Sequence, residues 1–385
     1  MRKALPTLLV ALALVVAALV AVGGSLSGPP RWTPDGLFYH ARSLELDGMD
    51  REAALERAFQ GPIGAELRAR DPERSGDPDW VSYNAQFYER RLTVPLAALA
   101  VEPLAGERAV LDISLAGYIA AVLAIFALLL TRFRLAIAAV VTLATIFLPA
   151  LVSHSSYPLT DSWGLALETA ALASGIFALQ RGPRWLVAWG ASLLVLAFTR
   201  DSSWIPIAAS AWLILSLRSR VTWAMLGIGI AAAIPVLFAF SMPTRELLAM
   251  MLNGLQPAPD ASWGFVAEHY PGALVDFVRA DGGFVRDGAW YSAAYLVAGL
   301  ALLFLLARGR HRTPPITFVQ GAAVAALAYV LVLPVFSAFR LELVCVPMAA
   351  FGLGLGAERL AAVLEPHLAR ARIRLDPRAR HAGVA

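Results

Sequence analysis

"AVLDISLAGYIAAVLAIFALLL" (109–130), "TRFR" (131–134) and "LAIAAVVTLATIFLPALV" (135–152) are the stretches that decide the fold. Each apolar block has about the length a helix needs to cross ~30 Å of hydrocarbon at ~1.5 Å per residue. The link between them is too short for anything but an antiparallel helical pair. Working outward, comparable blocks lie near 5–22, 162–180, 185–199, 203–217, 221–240, 289–307, 316–336 and 341–362. Together they predict an all-α integral membrane protein of about ten transmembrane helices. Pro149, Gly182-Pro183 and Pro314-Pro315 stand where spans should stop or start. Composition agrees: of 385 residues 58% are hydrophobic and 16% charged, with mean hydropathy +0.64, against roughly a quarter charged in soluble domains.

The formal charge of +4 comes almost wholly from arginine, since Lys3 is the only lysine. That bias matches GC-rich coding, and nothing in it points to nucleic acid. The sole cysteine, Cys345, lies inside an apolar block, which excludes an intramolecular disulfide. A glycine-rich phosphate loop, metal-finger spacing, heptads and an internal repeat are all missing from the sequence.

Orientation follows from basic residues in short loops, which stay cytoplasmic. With the N-terminus inside, that side holds Arg2, Lys3, Arg132, Arg134, Arg181, Arg184, Arg218, Arg220, Arg308, Arg310 and Arg312. The tail adds Arg370, Arg372, Arg374, Arg378 and Arg380, and reads as a topology determinant lying on anionic lipid. The short outer loops hold only Arg200 and Arg340. Both termini are therefore expected in the cytoplasm and the protein in the inner or plasma membrane. The expected organisation is a first span (1–22), an outer loop (23–108), spans two to seven (109–240), a second outer loop (241–288), three more spans (289–363) and a basic tail (364–385). A second reading of "MRK" and the apolar run after it, as a cleaved signal peptide, stays open.

Function is expected in the loops of such a scaffold. In "TPDGLFYHARSLEL" (33–46), Thr33 suits an N-cap and Pro34 the first helical position, so Asp35 falls in the first turn of a helix just past the membrane exit. Asp50 can cap a second short helix through Phe59, and "DPERSGDPDW" (71–80) reads as turns. "FYERRLTVPLAALAVEPL" (87–104) starts aromatic and basic, then suits a segment lying in the interface. At outer span ends, "SHSSYPLTDSWG" (153–164) supplies His154, Tyr157 and Asp161. Glu168 lies two turns deeper on nearly the same face, at about 100° per residue. Arg200 with Asp201, and Arg340 with Glu342, read either as local ion pairs or as parts of a site for a phosphate and a sugar.

These residues resemble the GT-C superfamily of membrane glycosyltransferases, in its aminoarabinose-transferase-like and dolichyl-phosphate-mannose-transferase-like branches. "DGLFYHARSLELDG" (35–48) is similar to their acidic motif after the first span, with Asp35 and Tyr39. "YERRLTVPLAAL" (88–99), "YPLTDSWGLALETAALA" (157–173), "LAFTRDSSWIPIAASAWLIL" (196–215) and "AFRLELVCVPMAAFGLG" (338–354) are similar, in order, to segments of uncharacterised bacterial relatives. The resemblance implies a retained first helix, interfacial helices in the first outer loop, and sugar transfer from a polyprenyl-phosphate donor. Gly36 and Leu37 stand where some branches carry a second acid, and Asp201 replaces a usual glutamate.

Such transfer needs a base for the acceptor and preorganised cations for the leaving phosphate. The expected roles are Asp35 as base, Asp161 as a second carboxylate for sugar or a divalent cation, and Arg200 and Arg340 on the lipid phosphate. Tyr39, Tyr157, His154 and Glu168 are expected substrate contacts. Expected partners are the lipid-linked donor, membrane lipid and an acceptor that is a glycan, lipid or protein. The alternatives are a non-catalytic scaffold of the same shape in glycan or lipid assembly, and a secondary transporter, which would call for repeated halves.

Overall fold

The computed structural model describes residues 4–27, 30–239, 243–258, 260–307, 313–333 and 339–375. Arg2, Lys3, Arg308, Arg310, Arg312, Arg378 and Arg380 lie outside them. All regular structure among the described residues is helical. In chain order the helices are α1 (Ala4–Ala21), α2 (Gly23–Ser27), α3 (Pro34–Leu46), α4 (Arg51–Phe59), α5 (Ala65–Arg70), α6 (Pro72–Ser75), α7 (Pro78–Tyr88) and α8 (Thr93–Ala105). There follow α9 (Ala109–Leu130), α10 (Leu135–Ile146), α11 (Pro149–Ser155), α12 (Asp161–Arg181), α13 (Leu186–Ala197), α14 (Trp204–Ile214) and α15 (Arg220–Ala239). The chain continues through α16 (Thr244–Leu252), α17 (Trp263–Phe284), α18 (Trp290–Leu306), α19 (Pro314–Val332) and α20 (Val346–Leu375).

Six stretches among the described residues are long and apolar enough to cross a membrane: Ala4–Ala21, Thr93–Leu130, Asp161–Arg181, Trp263–Leu306, Pro314–Val332 and Glu342–Pro366. The pair α10–α11, bent by 63°, makes a seventh if it is one span. The chain is thus an all-α, multi-pass membrane protein. The shortfall from ten is one of length. With 12 and 11 residues, α13 and α14 reach only about half of a ~30 Å core at ~1.5 Å per residue, and α15 also falls short, its apolar stretch running over Arg220–Val236.

Lipid-facing surface is plainest on α1, where Leu5, Leu8, Leu9, Leu12, Val16 and Val20 are exposed while Leu14 and Ala18 pack into the bundle core. Between α18 and α20 the backbones touch: a Cβ on Gly352 would lie 1.9 Å from the Gly299 carbonyl oxygen. Small residues at such crossings let membrane helices gain close van der Waals contact. The break between α10 and α11 falls at Pro149, which cannot donate to the preceding turn. Its freed carbonyls find hydroxyls: Tyr118 donates to Ile146 O at 2.7 Å and Tyr291 to Ala144 O at 2.9 Å. That satisfaction is what allows broken backbone at membrane depth. Cys345 is buried.

The region 23–108 folds as a helical cap with an aromatic core of its own, built on Trp32, Phe38, Tyr39, Phe59, Trp80, Phe87 and Tyr88. Thr33 caps α3, its Oγ1 accepting from Gly36 N at 3.1 Å, and Asp50 caps α4. "DPERSGDPDW" forms helix starts where turns were expected, because Pro72 and Pro78 each take the first helical position after an aspartate. The region 241–288 also differs from a plain loop, since α17 runs 22 residues and joins α18 through a π turn at Val285–Ala289. The cap is laced onto the bundle where α8 begins: Leu92 N donates to Phe198 O at 2.8 Å, and Thr199 Oγ1 to Thr93 Oγ1 at 2.8 Å.

Candidate functional site

Charged residues from four distant segments meet between cap and bundle. Arg340, just before α20, stands at the centre. Its Nε donates to both oxygens of Asp161, at 2.8 and 2.9 Å, and its Nη1 reaches Asp35 Oδ2 at 2.6 Å. Arg200 pairs with Asp161 from the other side. Tyr88 donates to Asp35 Oδ1 at 2.7 Å. One guanidinium therefore ties the first turn of a cap helix to the first residue of α12.

The pairings are not the local ones that adjacency in sequence suggests. Asp201 pairs with Arg90 and, at 3.7 Å, Arg91 from the cap, while its neighbour Arg200 takes Asp161. Glu342 sits beside Asp281 of α17. The first local pair is overturned because the 3-10 turn at Asp201–Ser203 and the extended backbone at Arg200 send neighbouring side chains apart, and the second because Arg340 is taken up by Asp35 and Asp161.

The four groups occupy two depths. Asp161 and Arg200 have side chains 1% and 8% exposed, whereas Asp35 and Arg340 keep 19% and 22%. The outer pair faces a cavity of about 420 Å³. His154, Tyr157, Arg200, Asp35 and Arg340 line it, together with Trp80, Phe87, Tyr88, Arg91, Asp201 and Tyr329. Burial alone would push the Asp35 carboxyl up, but Arg340, Arg91 and the Tyr88 hydrogen bond outweigh it and hold Asp35 below its usual range. Burial, then the Asp35 charge, drives the Tyr88 phenol well above its usual value, so Tyr88 stays a donor.

Two expected contacts stand elsewhere. Tyr39 is fully buried behind the wall, its hydroxyl 2.7 Å from Arg91 Nη1 and 3.0 Å from Thr160 Oγ1. It lies one helical turn beyond Asp35 and supports Arg91 without lining the cavity. Glu168 is fully buried in α12, also outside the lining, and no hydrogen bond of ordinary geometry reaches its oxygens among the described residues. Tyr88, Arg90, Arg91 and Tyr329 were missed as site residues. The basic and aromatic start of 87–104 was the available signal for the first three, read only as an interface anchor.

The absence of a second acid after Asp35 has a steric cause. Leu37 is fully buried, and a Cβ on Gly36 would meet Pro158 O at 3.0 Å. Nor does the donor set fit the divalent cation considered above. Asp35 and Asp161 spend their oxygens on Arg340, Arg200 and Tyr88, and a dication between two guanidiniums would be repelled by both. Among the described residues no group of three or more His, Cys, Asp or Glu is placed to hold a metal.

What this arrangement can do is hold a mono-anion and a polar, hydroxyl-bearing ring together. Guanidiniums bind phosphate in a fork, carboxylates and Tyr hydroxyls take sugar hydroxyls, and aromatic faces cover apolar ring surface. No protein-family model matches the chain and no curated protein matches it.

Proposed function

We propose that this protein is a membrane glycosyltransferase of GT-C-like architecture, moving a sugar from a polyprenyl-phosphate donor to an acceptor at the outer face of the membrane. The proposal includes about ten membrane passages, with α13, α14, α15 and the bent pair counted, and both termini cytoplasmic. One observation carries it: a single arginine joins two carboxylates at the rim of an aromatic and arginine-lined cavity, at one end of a membrane bundle.

In this reading the donor phosphate takes the Nη edge of Arg340, while the Nε edge stays anchored on Asp161. That exchange strips Asp35 of its cation and turns it into a stronger base. Asp35 then accepts the proton of the acceptor hydroxyl as that oxygen attacks the anomeric carbon. The sugar–oxygen bond to phosphate breaks, and its electron pair leaves with the phosphate onto Arg340. No general acid is needed, because the leaving group is stabilised by charge already in place.

A non-catalytic scaffold is the second reading, favoured by the closed pairing of Arg200 with the buried Asp161. The experiment that decides between them is Asp35→Asn, which keeps shape but cannot accept a proton. Transfer from a lipid-phosphate sugar is expected to fall at least ~100-fold, with donor binding retained and melting temperature little changed. Full activity in Asp35→Asn would retire the assignment of Asp35 as base. The same assay has a pH signature. The acid limb of kcat, where phosphate has displaced Arg340, is expected at higher pH than that of kcat/KM, which reports free Asp35 held low by Arg340.

A further inference from the structure

The turn that carries Arg340 is built against its own backbone preference. Phe339 has a φ of 67°, in the left-handed region that a bulky side chain rarely enters. Such a conformation persists only where neighbours fix it from several sides. The last turn of α17 supplies that fixing. Asp281, itself buried, accepts from Phe339 N at 3.2 Å, and the Phe284 ring stacks on Phe339 at 6.2 Å between centroids. Glu342, two residues beyond Arg340, makes a hydrogen-bonding contact with the same Asp281 carboxyl. No other donor reaches its buried Oε2 among the described residues. Two carboxyls can hydrogen-bond each other only if one of them carries a proton. No cation takes over that task among the described residues. Arg340 is spent on Asp35 and Asp161, and Arg286 stands exposed beside Asp287. Of the other titratable groups on the packed elements, Cys345 shares the turn, Glu168 of α12 faces Cys345, and Tyr329 of α19 faces Arg200.

From this geometry we infer that Asp281 and Glu342 share one proton and form a clasp that positions Arg340, so that losing the proton releases the arginine from the seam. The clasp is a property of the fold; only its effect on ligand binding rests on the proposed function. With the proton in place, Asp281 accepts from Glu342 on one side and from Phe339 N on the other. Without it, two negative charges face each other in a buried site, and their repulsion drives the turn off α17. Arg340 then loses the backbone that aims its two edges at Asp35 and Asp161. Both are positioning residues, since they act through Arg340 and neither lines the cavity.

The test uses the full chain in phosphatidylcholine nanodiscs. It reads hydrogen-exchange protection of α3 and of residues 339–345 against pH, and the affinity for a polyprenyl phosphate. Wild-type protection in both segments, corrected for intrinsic exchange, is expected to fall at least ~10-fold at alkaline pH, since one linked proton is worth up to tenfold per pH unit. Asp281→Asn and Glu342→Gln carry an amide N–H that does not titrate, so each keeps the contact and flattens that dependence. Asp281→Leu removes it, and is expected to lower protection and polyprenyl phosphate affinity at least ~10-fold at every pH. Asp276→Asn, in an exposed pair with Arg279 on the same helix, is expected to change neither. A wild-type profile that stays flat, or an Asp281→Asn profile as steep as wild type, overturns the clasp and leaves the proposed function standing. So does Asp281→Asn protein as loose at neutral pH as Asp281→Leu. Wild-type protein with the expected profile that binds no polyprenyl phosphate overturns the proposed function and leaves the clasp.

Discussion

The bundle and the cap are two solutions to folding within one chain. The bundle core is built mainly from Leu, Ile, Val and Ala, with aromatic rings among them such as Tyr118, Trp189 and Phe318, and with backbone contact at Gly299 and Gly352. Lipid tails are as apolar as leucine, so close packing, more than water exclusion, must hold these helices together. The cap obeys the rules of water-soluble proteins. Two of its short helices, α3 and α7, start at capped prolines, and its core stacks Phe38 on Tyr88 at 4.5 Å between ring centroids. Neither half is complete where they meet, and the seam is closed by charges. Stability in the cap is therefore sensitive to pH and to single polar atoms in a way the bundle is not.

Arg340→Ala tests this most severely, since it removes a guanidinium bonded to carboxylates of both halves. Each charge-assisted hydrogen bond is worth about 1.5–3 kcal/mol, so donor binding and turnover are both expected to fall ~100-fold. Hydrogen exchange in α3 should speed up while α9 and α12 stay protected. Equal loosening of cap and bundle would dissolve the distinction between them.

His40 gives the next largest effect. Burial, then the nearby Arg57 charge, lowers its pKa to about 4, from ~6.5 in an open chain. Between those values the unfolded cap binds a proton that the folded cap refuses. Cap stability is therefore full above ~6.5 and falls as pH drops toward 4, by about 3 kcal/mol in total. His40→Leu, which keeps the apolar fill beside Trp32, should flatten that slope in exchange rates of α3. An unchanged slope would remove His40 as the cause. Thr33→Ala is the gentlest probe. It deletes the bond to Gly36 N and is expected to cost ~1 kcal/mol, felt in cap exchange and not in the bundle.

The parts of the fold legible beforehand were those governed by local rules. The blocks at 109–130 and 162–180 appear as α9 and α12 within a residue at each end, because an all-round apolar helix has one place to go. Thr33, Pro34 and Asp50 took their capping positions for equally local reasons. The site was legible only as a set of residues. Asp35, Asp161, Arg200 and Arg340 were identifiable as candidates, yet their pairing was not, since adjacency in "TRD" and "RLE" pointed to neighbours while the tertiary fold chose partners 39 (Arg200–Asp161) to 305 (Arg340–Asp35) positions away. Glu168 misled for a related reason. It shares a face with Asp161, but two turns of depth carry it from a charged seam into the closed apolar core.

Cys345, the only cysteine of the sequence, is buried at 2% exposure between the Arg340 turn and α20. Chemically the surface is blank to thiol reagents among the described residues. A cysteine placed at an exposed position such as Glu73 in the cap or Arg184 between α12 and α13 becomes the one thiol that a water-borne maleimide reaches. The sidedness of the molecule can thus be read from the native background, one introduced sulfur at a time.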